Sequence, residues 1–108
     1  MELTKDVRDK IREGDWLCTC TSWYDDYTQD MVESYTYYRV TKATPKTYTV
    51  QKVELEYNAE PVAGTYSPTG FKYVDEKPQT IRRSTEYPQT RHFGRLFYKA
   101  DIEFTDAK

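Results

Sequence analysis

Eleven tyrosines in 108 residues, set against few leucines, isoleucines, valines and methionines, decide what this chain can bury. Aromatic side chains make up 16% of the sequence, so a core must be assembled largely from rings. Tyrosine favours strands and half-buried surfaces, because its ring packs while its hydroxyl stays wet. The expectation is a strand-rich fold. The length allows one domain spanning residues 1–108, with one core that must be well packed.

The order of segments sharpens this. Residues 4–12 read as a short helix, with Thr4 as its cap and Leu3, Val7 and Ile11 on one face; Gly14 is placed to end it. Residues 15–21 read as a strand in which Trp16, Cys18 and Cys20 alternate with Leu17, Thr19 and Thr21. Residues 22–33 are polar and acidic and read as a loop. Residues 35–42 and 47–57, joined by a turn at Pro45, form the clearest hairpin. Within 47–57, Tyr48 and Val50 share one face, whereas Val53, Leu55 and Tyr57 share the other. That slip predicts a β-bulge near Gln51 and Lys52. Residues 58–70, with Pro61, Gly64, Pro68 and Gly70, read as irregular. Short strands are expected at 71–74 and 80–84, then a turn at Pro88. A last strand should bury Leu96, Tyr98, Ala100, Ile102 and Phe104 with Val40, Val50 and Leu55, leaving Phe97, Lys99, Asp101 and Glu103 outside. The pattern is mainly β: a small antiparallel SH3-like barrel or curled sheet with one short N-terminal helix, or alternatively an open α+β roll.

Several function classes find no support. The net charge of −2 argues against a general nucleic-acid binder. No stretch approaches the roughly 20 apolar residues of a membrane span. Residues 1–13 are charged and lack an apolar signal core, so a cytoplasmic location is expected. Cys18 and Cys20 read as small hydrophobes, because a lone Cys-x-Cys is half a metal site. The single histidine, His92, has no nucleophile in register with it, and four glycines form no phosphate loop. Asp25, Asp26, Asp30 and Glu33 lack the spacing of a calcium loop. The expectation is no enzyme, no metal and no cofactor.

Two segments stand out as recognition surfaces. The acidic stretch carries Trp23, Tyr24, Asp25, Asp26, Tyr27, Asp30 and Glu33, with Tyr35 close behind. Carboxylates steer a basic partner and exposed rings hold it with little entropy to lose. Its plain alternative is a solvated connection with Trp23 in the core. The second surface is Arg82, Arg83, Arg91, His92 and Arg95, with Tyr87, Phe93 and Phe97 nearby, which can pair and stack single-stranded nucleic acid. Its plain alternative is ion pairing with the acidic half of the same chain. Residues 1–60 carry net −4, from twelve acidic and eight basic groups, and 61–108 carry net +2, from six and eight.

The run Gly14-Asp15-Trp16-Leu17, then Ser22-Trp23-Tyr24, then Tyr37-Tyr38-Arg39-Val40-Thr41-Lys42, then Lys46-Thr47-Tyr48-Thr49-Val50 resembles small uncharacterised proteins encoded by bacteriophages and mobile elements. The pattern is a GD strand, an SW aromatic loop, a YxVxK strand and a KTxTV strand. Ile81-Arg82-Arg83 and the final strand are similar to the second half of those proteins. The resemblance covers about two thirds of the chain and implies a small accessory protein. Joined to the acidic aromatic segment, it predicts a protein that binds and inhibits a host protein with a basic surface. A bacterial defence system such as CRISPR is the concrete target, and nucleic acid the alternative partner. Oligomeric state is not legible.

Overall fold

The computed structural model describes residues 1–57 and 68–104. A five-residue helix, α1 (Lys5–Asp9), precedes six strands: β1 (Trp16–Asp25), β2 (Asp30–Ala43), β3 (Thr47–Tyr57), β4 (Pro68–Tyr73), β5 (Gln79–Arg82) and β6 (Tyr98–Ala100). They form an open, strongly curled antiparallel sheet, half of a barrel, with the order β4-β3-β2-β1-β6. The mainly β curled sheet with one N-terminal helix is therefore the observed class. β3 is shared at its free edge: residues 47–50 pair with β5, and residues 53–57 with β4. At the changeover the Gln51 amide donates to the carbonyls of Val74 and Glu76, both at 2.7 Å, sealing the gap between the two partner strands.

The sheet is apolar on both faces, which explains several departures from the alternation read in the sequence. The inner face holds Leu17, Val40, Tyr48, Val50, Ile81 and Phe97, closed at one end by Leu3 and Ile11, which flank α1. The outer face holds Trp16, Val53 and Phe71, with Arg39 stacked 4.5 Å above the Trp16 ring and Phe104 5.7 Å from it. The slip in β3 is thus a strand with a buried valine on each side. The β2–β3 ladder runs unbroken through Gln51 and Lys52, and its bulge lies on β2, between Val40 and Lys42. The last strand is correspondingly inverted. Phe97 is only 1% exposed and meets Tyr38 edge-on at 5.0 Å on the inner face. Tyr98 and Ala100 pair with Cys18 and Trp16, so they lie on the outer face, and Phe104 joins the outer cluster. The strand is also short, three residues against the nine expected. The irregular stretch expected at 58–70 ends in β4 from Pro68 onward; 58–67 lie outside the described residues.

Two arginines lock α1 to the sheet. Arg8 is buried and donates to the carbonyls of Leu3 (2.7 Å), Arg83 (3.0 Å) and Glu86 (3.4 Å). Arg83 donates in return to Arg8 (2.6 Å), Ile11 (2.8 Å) and Thr44 (2.8 Å). Each guanidinium spreads its charge over backbone carbonyls around the short helix and the turns, where helix ends leave acceptors short of donors. Gly14 sits at φ +95°, and its N–H reaches the Val40 carbonyl at 2.8 Å, so the chain leaves α1 already docked on β2.

Beneath this clamp lies Tyr48, fully buried, its hydroxyl without a partner among the described residues. Burial pushes the phenol up to about 12, against the opposing pull of Arg8 and Arg83. The neutral form is thus favoured by folding. Its contribution to stability is intact below pH 10, the ordinary tyrosine value, and drains away as pH rises from 10 towards 12. Tyr48→Phe removes an unsatisfied polar atom and is expected to stabilise the domain by about 1 kcal/mol at pH 7. It should also make alkaline unfolding shallower, as followed by circular dichroism across pH 8–12; a destabilised Phe variant would show that the hydroxyl is satisfied in solution.

Candidate functional site

The acidic segment is a hairpin arm, not a loop. β1 runs to Asp25, β2 starts at Asp30, and only residues 26–29 turn. Strands persist here because the ladder of β1 with β2 continues for ten pairs, although the last pairs have no core beneath them. Asp25 organises the turn by accepting the Tyr27 N–H at 2.9 Å, and Gln29 takes the left-handed conformation at φ 54°.

Register decides what the arm displays. On its outer face Tyr24 stands beside Met31, Ser22 beside Glu33, Cys20 beside Tyr35 and Cys18 beside Tyr37. Tyr24, Met31 and Tyr35 are all exposed there, and Tyr35 stacks on Tyr37 at 6.5 Å. Trp23, opposite Val32, points to the other face and is half exposed, so it is not a core residue. Tyr27 at the tip is 100% exposed. The charges converge as the rings do. Asp25 and Asp30 are direct cross-strand partners, with Asp26 next to them on the turn. Like charges placed opposite one another oppose pairing. Glu33 is occupied differently, accepting the Tyr35 hydroxyl at 2.9 Å; that hydrogen bond and the carboxylate charge raise the phenol to about 12. Beyond Cys18 no described strand pairs with the free edge of β1, and from Ser22 to Tyr24, where the strand is exposed, its backbone groups are open to an incoming strand.

The basic residues fall into two groups. Arg83 belongs to the interior clamp and is withdrawn from any ligand. Arg82 is exposed at the end of β5, opposite Thr47. Arg91, His92 and Arg95 instead line a trough of about 500 Å³. It is the continuation of the inner face past the core, floored by Thr19, Thr36 and Lys52. Arg95 reaches Thr21 through a guanidinium hydrogen bond. The expected pairing with the acidic half does not occur: the ion pairs among the described residues are Lys52–Glu76, Lys72–Glu54 and Lys99–Asp101, and none includes an arginine. Phe97, expected beside these groups as a stacking ring, is in the core, while Phe93 is exposed.

Cys18 and Cys20 are free, partly buried and on the outer face, with the sheet between them and His92. Burial pushes the Cys18 thiol up, which disfavours the reactive thiolate. Among the described residues no three His, Cys, Asp or Glu side chains gather to hold a metal, and no helix is long and apolar enough to cross a membrane. Sequence reasoning missed Met31 and Tyr37 on the arm and Lys52 and the threonines in the trough. The alternation Met31, Glu33, Tyr35, Tyr37 was the available signal for the arm. Compared with protein-family models, curated proteins and solved structures, the chain has no match.

Proposed function

We propose that this chain is a non-enzymatic accessory protein of a bacteriophage or mobile element that binds a host protein in the bacterial cytoplasm and inhibits it, a component of a defence system such as CRISPR being the concrete target. The observation that carries the reading is the β1–β2 arm. It projects Tyr24, Met31 and Tyr35 into solvent on its outer face and Tyr27 at its tip, where three carboxylates gather, two of them forced opposite each other on the face of Trp23. A partner with a basic surface relieves that repulsion and covers the rings, and the open edge of β1 offers main-chain hydrogen bonds to an extended segment.

The test is affinity capture from bacterial lysate, with the wild-type chain and an Asp25→Asn, Asp26→Asn, Asp30→Asn, Glu33→Gln variant run in parallel. The wild type should recover a host protein at stoichiometric levels, and the variant should associate with it at least tenfold more slowly at low salt, where charge steering acts furthest. The free variant should be as stable as the wild type or more so, by about 0.2–1 kcal/mol, because a like-charge pair is gone. Tyr27→Ala should instead quicken dissociation. Failure of either protein to capture a partner, or equal capture at all salt concentrations, counts against the arm as the binding face.

A second reading, binding of single-stranded nucleic acid, is favoured by one observation: Arg91, His92 and Arg95 line a common trough and have no carboxylate partner among the described residues.

A further inference from the structure

The trough differs from the arm in shape and in charge. Of its lining residues, Lys52, Lys77, Arg91 and Arg95 are cationic and only Glu76 is anionic, the latter held by Lys52 at 3.5 Å. Cations collected in a concavity with one carboxylate among them select an anion. A volume of about 500 Å³ suits a small molecule rather than a bare ion.

Its rim points to the rest of the ligand. The loop 89–95 is tied down by short hydrogen bonds. The Thr90 N–H donates to the Arg95 carbonyl (2.8 Å), the Arg95 N–H to the Thr90 hydroxyl (3.0 Å), and the Arg91 N–H to the Gln79 side chain (3.0 Å), whose amide donates back to the Gln89 carbonyl (2.8 Å). Within this frame Phe93 is held at φ 68°, left-handed, a conformation that is costly for a bulky side chain. The ring so placed is 90% exposed, with the Arg95 guanidinium 5.8 Å from its centre. An aromatic residue that folding leaves bare, held in strained backbone at the mouth of a cationic trough, is a stacking platform. Tyr38 on the trough wall offers a second ring.

We infer that the trough binds one nucleotide unit, with its phosphate among Arg91, Arg95 and Lys52 and its base stacked on Phe93. The inference sharpens the nucleic-acid reading and is independent of the arm. The unit comes either from a free mononucleotide or from a strand, and the experiment separates the two.

The full chain is titrated calorimetrically, and by amide chemical shift, with adenosine 5′-monophosphate, adenosine, inorganic phosphate and a single-stranded DNA hexamer. The monophosphate should bind saturably and at least tenfold more tightly than adenosine or phosphate. Arg91→Ala, whose side chain is exposed, should weaken the monophosphate about tenfold and adenosine little. Phe93→Gly, which relieves the left-handed strain, should weaken both nucleoside ligands at least fivefold while leaving the thermal midpoint unchanged or higher. A hexamer that outcompetes the monophosphate identifies a strand as the source, and one that binds no more tightly identifies a free nucleotide; either result supports the site. A monophosphate that binds no better than phosphate, or equally well in both variants, overturns it. A hexamer that binds without displacement by the monophosphate, and unaffected by either variant, overturns the trough while leaving nucleic-acid binding elsewhere.

Discussion

Phe97→Ala is expected to cost about 3–5 kcal/mol of unfolding free energy, as read from urea denaturation. The ring is all but inaccessible and is the element by which the C-terminal part of the chain closes the inner core against Tyr38. Its backbone N–H is fixed to the Pro88 carbonyl at 2.9 Å, so the chain cannot easily shift to fill the void. For a domain whose total stability is about 5–15 kcal/mol, that loss takes a third or more. Ile102→Ala, in the same segment but only half-buried, should cost about 1 kcal/mol. Equal losses from the two would mean that the segment's outer-face packing contributes as much as its inner anchor.

Arg83→Met should be about as damaging, at roughly 3–5 kcal/mol, although it replaces a polar side chain with an apolar one of similar length. The carbonyls of Ile11 and Thr44 lose their side-chain donor at once, that of Arg8 falls back on the long contact from the Ile11 N–H at 3.4 Å, and each unsatisfied buried acceptor costs about 1–3 kcal/mol. Arg83→Lys should not restore stability, because one ammonium cannot reach in three directions as the guanidinium fork does. Arg82→Met, one residue away and exposed, should change stability by about 0.5 kcal/mol or less. Thermal melts of the three variants distinguish a clamp at Arg83 from a general need for positive charge in β5.

These two residues also mark where sequence reasoning succeeded and where it stopped. The β2–β3 hairpin and the helix stripe of Leu3, Val7 and Ile11 were legible because each is a local pattern with one physical solution; α1 itself stops at Asp9 with a right-handed Lys10 as its cap, and Gly14 makes the turn into β1 rather than the helix end. Alternation around Phe97 showed correctly which residues share a face. It could not say which face is inside, because Trp16 and Phe71 make a second apolar layer that accepts the other set. In sequence the arm reads as a loop because its strands have no core beneath them, so the period-2 signal of Met31, Glu33, Tyr35 and Tyr37 is not a contrast of apolar with polar positions; the polarity that hides the strands is what exposes the rings. Arg83 was read as a surface cation because its three acceptors lie 39 or more residues away in sequence. The trough assembles ordinary threonines, two lysines and a loop from β1, β2, β3 and the segments on either side of β5, a convergence set by curvature rather than by any motif.

The first residues of the chain meet β6 at the sheet's edge, where the Lys99 N–H donates to the Met1 carbonyl at 2.7 Å and Glu2 bridges Tyr98. Core completion therefore waits on contacts that span almost the whole chain. Closing so long a loop adds little to the equilibrium cost, since each doubling of length takes only about 0.6 kcal/mol, but it slows the search for the native pairing. During synthesis β1, β2 and β3 are made well before Phe97. At about 5–20 residues per second, the stretch from Tyr57 to Phe97 takes roughly 2–8 s. For that interval Leu17, Val40 and Val50 face an unfilled hollow, and a nascent chain in this state is a natural client for a chaperone.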